Sequence, residues 1–258
     1  MKINPNQNEL NHRAKLISQW KCLSENKLPR NISIAEFESC DVEFIQKLRT
    51  SFDQKPMKDE VRQEIVSSAL MTIEGLLSTD CGFLDKVKML VAIQNYRPCG
   101  LLIANMPKRM SSTEGVNYSS RHNNAKNETE IDWLATWVPD GAEKLKGIGK
   151  ALVGEYFLSL KQSRFRDVFV KSELPENSYA QSFYESLGFE VLGTKRQTLE
   201  TKTSKEYLVS NHANSADRVV PMIITRGRWQ ACIDDLTKKM FRQRFIKTSV
   251  NANDLMNI

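Results

Sequence analysis

Cysteine, histidine and long apolar runs are all scarce in this 258-residue chain. The five cysteines, Cys22, Cys40, Cys81, Cys99 and Cys232, are odd in number and scattered, and no CxxC occurs. The three histidines, His12, His122 and His212, stand far apart. That distribution fits neither a metal site nor a disulfide framework, and the expectation is reduced thiols in a cytoplasmic protein. No apolar stretch approaches the roughly 18 residues of a membrane span, so no membrane partner is expected. The opening residues, MKINPNQNELNHRAK, are too polar for a secretory signal. The net charge of +6 suits an anionic ligand, but the lysines are spread along the chain and no nucleic-acid partner is expected. There is no internal repeat.

What remains is an ordinary globular composition, 40% hydrophobic and 26% charged. Residues 1–30 are rich in Asn and Lys and read as a tail, or as a short accessory helix around Ala14–Leu23. Ile32–Ser39 has the look of a first strand. Val61, Ile65, Ala69 and Ile73 recur in steps of four within Pro56–Ser78 and predict a helix. Val87, Met89, Val91 and Ile93 alternate, which is strand period, and a second strand, Cys99–Met106, follows the break at Asn95–Pro98. Thr129–Val138 reads as a buried strand. Behind it a helix with Leu152, Val153, Tyr156, Phe157 and Leu160 on its core face runs to about Gln162. Then come a strand (Arg166–Leu174), a short helix stopped by Gly188, and strands at Phe189–Arg196 and Arg218–Arg226. Pro221 argues that the last of these is an edge or bulged strand. Two long polar stretches, Pro107–Asn127 and Gln197–Asp217, are longer than most loops inside a domain. Trp229, Ile233, Leu236 and Met240 predict a basic amphipathic helix over Trp229–Ile246. The order of elements is an α/β pattern with a mixed sheet. The expected organisation is a tail or accessory helix at 1–30, one domain at 31–226 and a C-terminal amphipathic helix at 227–258.

The stretch EKLKGIGKALVGEY, Glu143–Tyr156, places two glycines where a helix must start. Glycine weakens a helix interior by up to about 1 kcal/mol, so something should require bare backbone there. A phosphate that must come close is such a requirement. A Walker loop is excluded, because Lys144 stands where its first glycine belongs and Ala151 follows Gly149-Lys150. A Rossmann fingerprint is excluded by Leu152. A basic residue, two spacers and then G-x-G does fit, as Lys144-x-x-Gly147-x-Gly149.

With TEIDWLATWVP before it, this stretch resembles the fourth strand, pyrophosphate loop and following helix of the GNAT superfamily of acyl-CoA N-acyltransferases. A second stretch, ENSYAQSFYESLGFEVLG, resembles that family's N-x-x-A-x-x-F-Y-x-x-x-G-F signature at Asn177, Ala180, Phe183, Tyr184, Gly188 and Phe189. The resemblance covers about Ile32–Arg226. It implies the GNAT fold, a mixed central sheet flanked by helices, here with an extra C-terminal helix. It also implies acetyl-CoA as cosubstrate, with Lys144, Lys146, Gly147, Ile148, Gly149 and Lys150 around the diphosphate. Asn177 and the backbone of Thr136, Trp137 and Val138 would complete the cofactor contacts. Lys144 departs from the Arg or Gln usual in the family, and the segment before Gly147 is slightly longer than the common form.

In that family an amine attacks the thioester directly. Tyr184 stands at the family's usual position for the acid that protonates the leaving thiolate, although a packing role alone would also suit its position. Glu130 matches a glutamate of the histone-acetylating branch, and Asp132 lies two residues on along the same strand face. Either carboxylate could accept the amine proton through water, or could merely order the strand edge. Trp133 and Trp137 suit the core, and Cys99 and Cys232 are read as packing residues. The long loops favour an amine on a protein as acceptor. A small-molecule amine, or a weakly catalytic acyl-CoA-binding module that docks a partner through the basic run Lys238–Lys247, remain open alternatives.

Overall fold

The computed structural model of the chain describes residues 13–39, 45–46, 48–49, 66–71, 73–74, 87–105, 128–139, 141–161, 167–173, 179–191 and 219–251. It is an α/β structure with a mixed sheet and few helices. The strands are β1 (Arg13–Ser24), β2 (Pro29–Ser39), β3 (Val87–Gln94), β4 (Arg97–Asn105), β5 (Glu128–Thr136), β6 (Leu145–Lys146), β7 (Asp167–Glu173), β8 (Glu190–Val191), β9 (Val219–Thr225) and β10 (Arg242–Asn251). Three helices are complete enough to number: α1 (Ile148–Leu160), α2 (Tyr179–Ser186) and α3 (Arg226–Lys239). Two compact units divide the chain. One holds Met1–Ala104, Trp133–Tyr156 and Leu236–Ile258, the other Asn105–Asp132 and Phe157–Asp235.

In the first unit the strand order is β10-β1-β2-β3-β4, with β6 added beside the end of β1. β3 is buried at nearly every position, as a strand covered on both faces must be. It turns into β4 through Asn95 and Tyr96, at φ 50° and 62°. Two consecutive positive φ values are the signature of the tight turn whose twist matches a hairpin. Ala69 and Ile73, two of the four apolar positions that predict a helix, lie in the core cluster with Ile45, Leu48, Val91 and Trp137. Val61 and Ile65 lie outside the described residues.

The first unit corrects two sequence expectations. Ala14–Leu23 is not a helix but most of β1, antiparallel to both β2 and β10. A register shift between Leu16 and Ser18 breaks the two-residue alternation that would mark the strand, leaving Ile17 and Ser18 both buried. Beyond it the alternation is plain: Ser18, Trp20, Cys22 and Ser24 are buried, and Lys21 and Leu23 are exposed. The C-terminal helix stops at Lys239 rather than at Ile246. The Met240 N–H still reaches back to the Leu236 carbonyl (2.7 Å), but the Phe241 carbonyl accepts from the Lys21 N–H (3.0 Å), and from there the backbone belongs to the sheet as β10.

Expected to bury one face, α1 is in fact buried at every residue from Ala151 to Phe157. A methyl on Gly154 would fall 3.0 Å from the Trp20 ring and 3.4 Å from Leu236. Burial reaches Glu155, whose carboxylate would be strongly unfavourable there without partners. Arg242 grips both its oxygens, with Nη2 at 3.1 Å from Oε2, and Trp20 Nε1 donates to Oε1 at 2.9 Å. The helix is thereby tied to the first and last strands, β1 and β10.

In the second unit β5 pairs parallel to β7 from Glu128–Asp167 to Ile131–Val170. β9 lies antiparallel between β7 and β8. It is therefore interior by strand order, which differs from the edge position that Pro221 suggests. Among the described residues Pro221 pairs with Lys171 of β7, and β8 pairs with Met222 and Ile223. Phe157, Phe189 and Trp229 pack together, with ring centroids 6.0–6.2 Å apart. Among the described residues no helix is long and apolar enough to cross a membrane.

Candidate functional site

Most of the expected cofactor residues fall in the first unit, on the loop that enters α1. Ala142 N–H donates to the Pro139 carbonyl (3.0 Å) in a turn that needs φ +65° at Gly141. Three strands then hold the loop. β6 pairs with β1, Leu145 opposite Ser24 and Lys146 opposite Leu23. Arg30 of β2 donates to the Glu143 carboxylate at 2.9 Å, and the Gln94 amide of β3 donates to the Glu143 carbonyl at 3.2 Å. Hydrogen bonds from Arg30, and then from Ser24, hold the Glu143 carboxyl below its ordinary range. Sequence reasoning missed these anchors, whose partners lie 113 and 49 residues apart with no local signal between them.

At Gly147 the backbone takes φ +101°, where a side chain is strained. The first helical hydrogen bond runs from the Ala151 N–H to the Gly147 carbonyl at 2.9 Å. Ahead of it, the N–H groups of Ile148, Gly149 and Lys150 have no acceptor in the helix. No described side chain caps them, the first turn holds no acidic residue, and the residue in the capping position is itself a glycine. The helix dipole adds about half a positive charge at that point. Lys144 and Lys146 are exposed, Lys150 is half-buried, and none forms an ion pair with a described residue. Bare amides, a missing Cβ and three uncommitted ammonium groups fit a diphosphate. Lys146 lies opposite Leu23 in the ladder with β1, and the uncapped amides of the helix are those of Ile148–Lys150.

Thr136 ends β5, and Trp137 and Val138 follow it in the same unit. Trp137 cannot supply the N–H donor expected of it, because that group bonds the Cys99 carbonyl at 3.0 Å. Its indole lies in the core cluster, with Trp133 packed alongside. Val138 is 45% exposed and presents an apolar surface just ahead of the loop.

Tyr184, Glu130 and Asp132 belong to the second unit. Glu130 pairs with Phe169 in a ladder without register shifts. Thr129 and Ile131 are buried while Glu130 is half-buried and Asp132 exposed, so the two carboxylates share the opposite strand face. Tyr184 sits on α2, 7% exposed, its ring against Phe183 (5.2 Å) and Phe189 (5.3 Å) in edge-to-face geometry. Burial pushes its phenol well above the ordinary range, so the group is fully protonated at neutral pH. Asn177 lies outside the described residues, as do both long polar stretches.

Burial also pushes the Cys22 thiol up to about 12, and raises Cys99 further, with Cys22 as a lesser cause. The thiolate is the reactive form, so neither serves as a nucleophile near neutral pH. At pH 8 an aromatic disulfide reagent should leave both unmodified in the folded chain, as mass mapping would show, and label them once denaturant is added. Rapid native labelling of Cys99 would contradict this burial.

No family model and no curated protein matches the chain. It is similar to a number of solved structures of acetyltransferases. One is the PaiA N-acetyltransferase of Thermoplasma acidophilum in complex with coenzyme A, 14% identical over 75% of this chain and 98% of that one, with a TM-score of 0.44. Mutant forms of the spermidine/spermine N-acetyltransferase SpeG of Vibrio cholerae are 14% identical over 78% and 96%, at 0.42. The ribosomal-protein-S18-alanine N-acetyltransferase of Escherichia coli is 17% identical over 59% and 76%, at 0.37.

Proposed function

We propose that the chain transfers an acetyl group from acetyl-CoA to a primary amine of a protein, by direct attack of the amine on the thioester. One observation carries the reading: the uncapped start of α1 at Gly147–Lys150, ringed by lysines that pair with no described residue, lies where the sequence resembles a diphosphate loop. Ala180, Phe183 and Tyr184 of the second motif lie on α2, Tyr184 buried, and they support it. Ile148, Gly149 and Lys150 hold the diphosphate through their N–H groups, and Lys144, Lys146 and Lys150 offset its charge. Val138 lies against the apolar arm of the cosubstrate. The amine nitrogen forms the new bond to the acetyl carbon as the carbon–sulfur bond breaks. Tyr184 gives its proton to the departing sulfur, and Glu130 takes the amine proton through water. The protein acceptor rests on the length of the Pro107–Asn127 and Gln197–Asp217 stretches. A docking role for α3 is not favoured, because Trp229, Ile233 and Leu236 are buried within the chain itself.

Incubating the chain with acetyl-CoA and a panel of proteins and small amines, read by intact mass, tests this directly; acetylation of small amines alone would overturn the protein acceptor. Glu130→Gln should then lower kcat/KM about tenfold near neutral pH, a barrier increase of about 1.4 kcal/mol. The defect should shrink as pH rises toward the amine pKa of about 10.4, because more acceptor is already neutral. Asp132→Asn should do less, being more exposed. A silent Glu130→Gln beside a pH-dependent loss in Asp132→Asn would transfer the role to Asp132.

A further inference from the structure

We infer that Met240 is a positioning residue for the diphosphate loop, and that the strands at the two ends of the described chain are working parts of the acetyl-CoA site. The inference rests on the acetyl-CoA reading above. The loop is not self-supporting. Its last two residues before Gly147 form β6, whose ladder partners are Leu23 and Ser24 at the end of β1. β1 is in turn paired with β10 over Arg13–Trp20. Between α3 and β10 stands Met240. Its position is fixed on both sides, by its own N–H on the Leu236 carbonyl (2.7 Å) and by the next residue, whose carbonyl accepts from Lys21. Arg242, two residues on, grips Glu155 of α1.

From that point the Met240 side chain reaches Gly147. A methyl built on Gly147 would fall 2.9 Å from Met240 Cε, 3.6 Å from its sulfur and 3.8 Å from Cys22 Sγ. The thioether occupies the space that a side chain at Gly147 would fill. An unbranched, polarisable group is suited to filling such an irregular gap. With this contact in place the φ +101° peptide has less room to relax, and the amides of Ile148, Gly149 and Lys150 stay aimed before the ligand arrives. Preorganisation of this kind appears in affinity, because the loop need not be ordered on binding. No local signal in the sequence links Met240 to Gly147.

The test is the Kd for CoA, by calorimetry, in the wild-type chain, Met240→Ala and Met240→Leu, with pantetheine, which lacks the diphosphate, measured alongside. Met240→Ala should bind CoA about tenfold more weakly, equivalent to about 1.4 kcal/mol. Met240→Leu should regain most of that loss, and pantetheine should bind all three alike. Should Met240→Ala fail to fold, Met240→Val shortens the same side chain and carries the same expectation. Wild-type affinity for CoA in the shortened variant overturns the inference, and so does an equal loss for CoA and pantetheine, which would reduce Met240 to general packing. A wild-type chain that binds no CoA overturns the acetyl-CoA reading itself, and the inference with it.

Discussion

Gly147→Val is expected to melt at the same temperature with and without acetyl-CoA, whereas the wild-type chain gains stability from it. A ligand that binds only the folded state at 100 times its Kd adds about 2.7 kcal/mol. At about 2–4 °C per kcal/mol for a chain of this size, the wild-type shift should be roughly 5–10 °C. Valine removes it for two reasons. Its backbone cannot sit comfortably at φ +101°, a strain of about 1–3 kcal/mol that the loop relieves by moving. Its Cβ also meets Met240 Cε at 2.9 Å, although that contact is with the flexible end of a side chain and the backbone cost dominates. The variant should therefore melt lower than wild type without ligand and show no further response to it. The unliganded difference reads the strain, and the lost response reads the anion site. A variant that melts lower yet keeps the whole ligand shift would place the diphosphate elsewhere.

How much of this loop was legible in the sequence depends on what each residue does. Gly147 was legible because a glycine at a helix start has few other uses, and the lysines around it reinforced the reading. The start of α1 and the apolar positions behind it followed from helical spacing. What holds the loop was not legible. Arg30 and Glu143 look like two solvated charges until a sheet brings them within 2.9 Å. Glu155 reads as an ordinary helix residue, and only its partner 87 positions later shows why it can be buried. β1 was hidden by one irregularity, the shift at Leu16–Ser18, which breaks the alternation of the strand. β10 was hidden by the run of basic residues that continues the composition of α3 without continuing its hydrogen bonds. Trp137 was legible as a core residue from its size and surroundings, but the use of its N–H on Cys99 was not, because a backbone bond leaves no mark on composition.

Tyr184→Phe should lower kcat about 10²-fold, the lower end of what a lost general acid costs, and leave the KM for acetyl-CoA unchanged. The substitution isolates the hydroxyl. Phenylalanine keeps the edge-to-face contacts with Phe183 and Phe189, centroids 5.2 and 5.3 Å away, so α2 should stay in place and the unliganded melting temperature near neutral pH should barely move. Among the described residues the Tyr184 side chain makes no hydrogen bond, so its loss orphans no described partner. The pH dependence supplies a second reading. Burial raises the phenol above its ordinary value near 10, so the acid form persists through the neutral range and wild-type kcat should hold until the solution is strongly alkaline. The same shift is a stability relation. The raised group contributes its stabilisation below the unfolded pKa and loses it as pH climbs through the folded one, so wild-type stability should fall above about pH 10 more steeply than that of Tyr184→Phe. Two measurements then separate the roles. A variant with wild-type kcat at pH 8 would leave Tyr184 as a packing residue whatever its stability profile. A hundredfold loss with unchanged KM and unchanged neutral-pH melting assigns the proton of the departing sulfur to its hydroxyl.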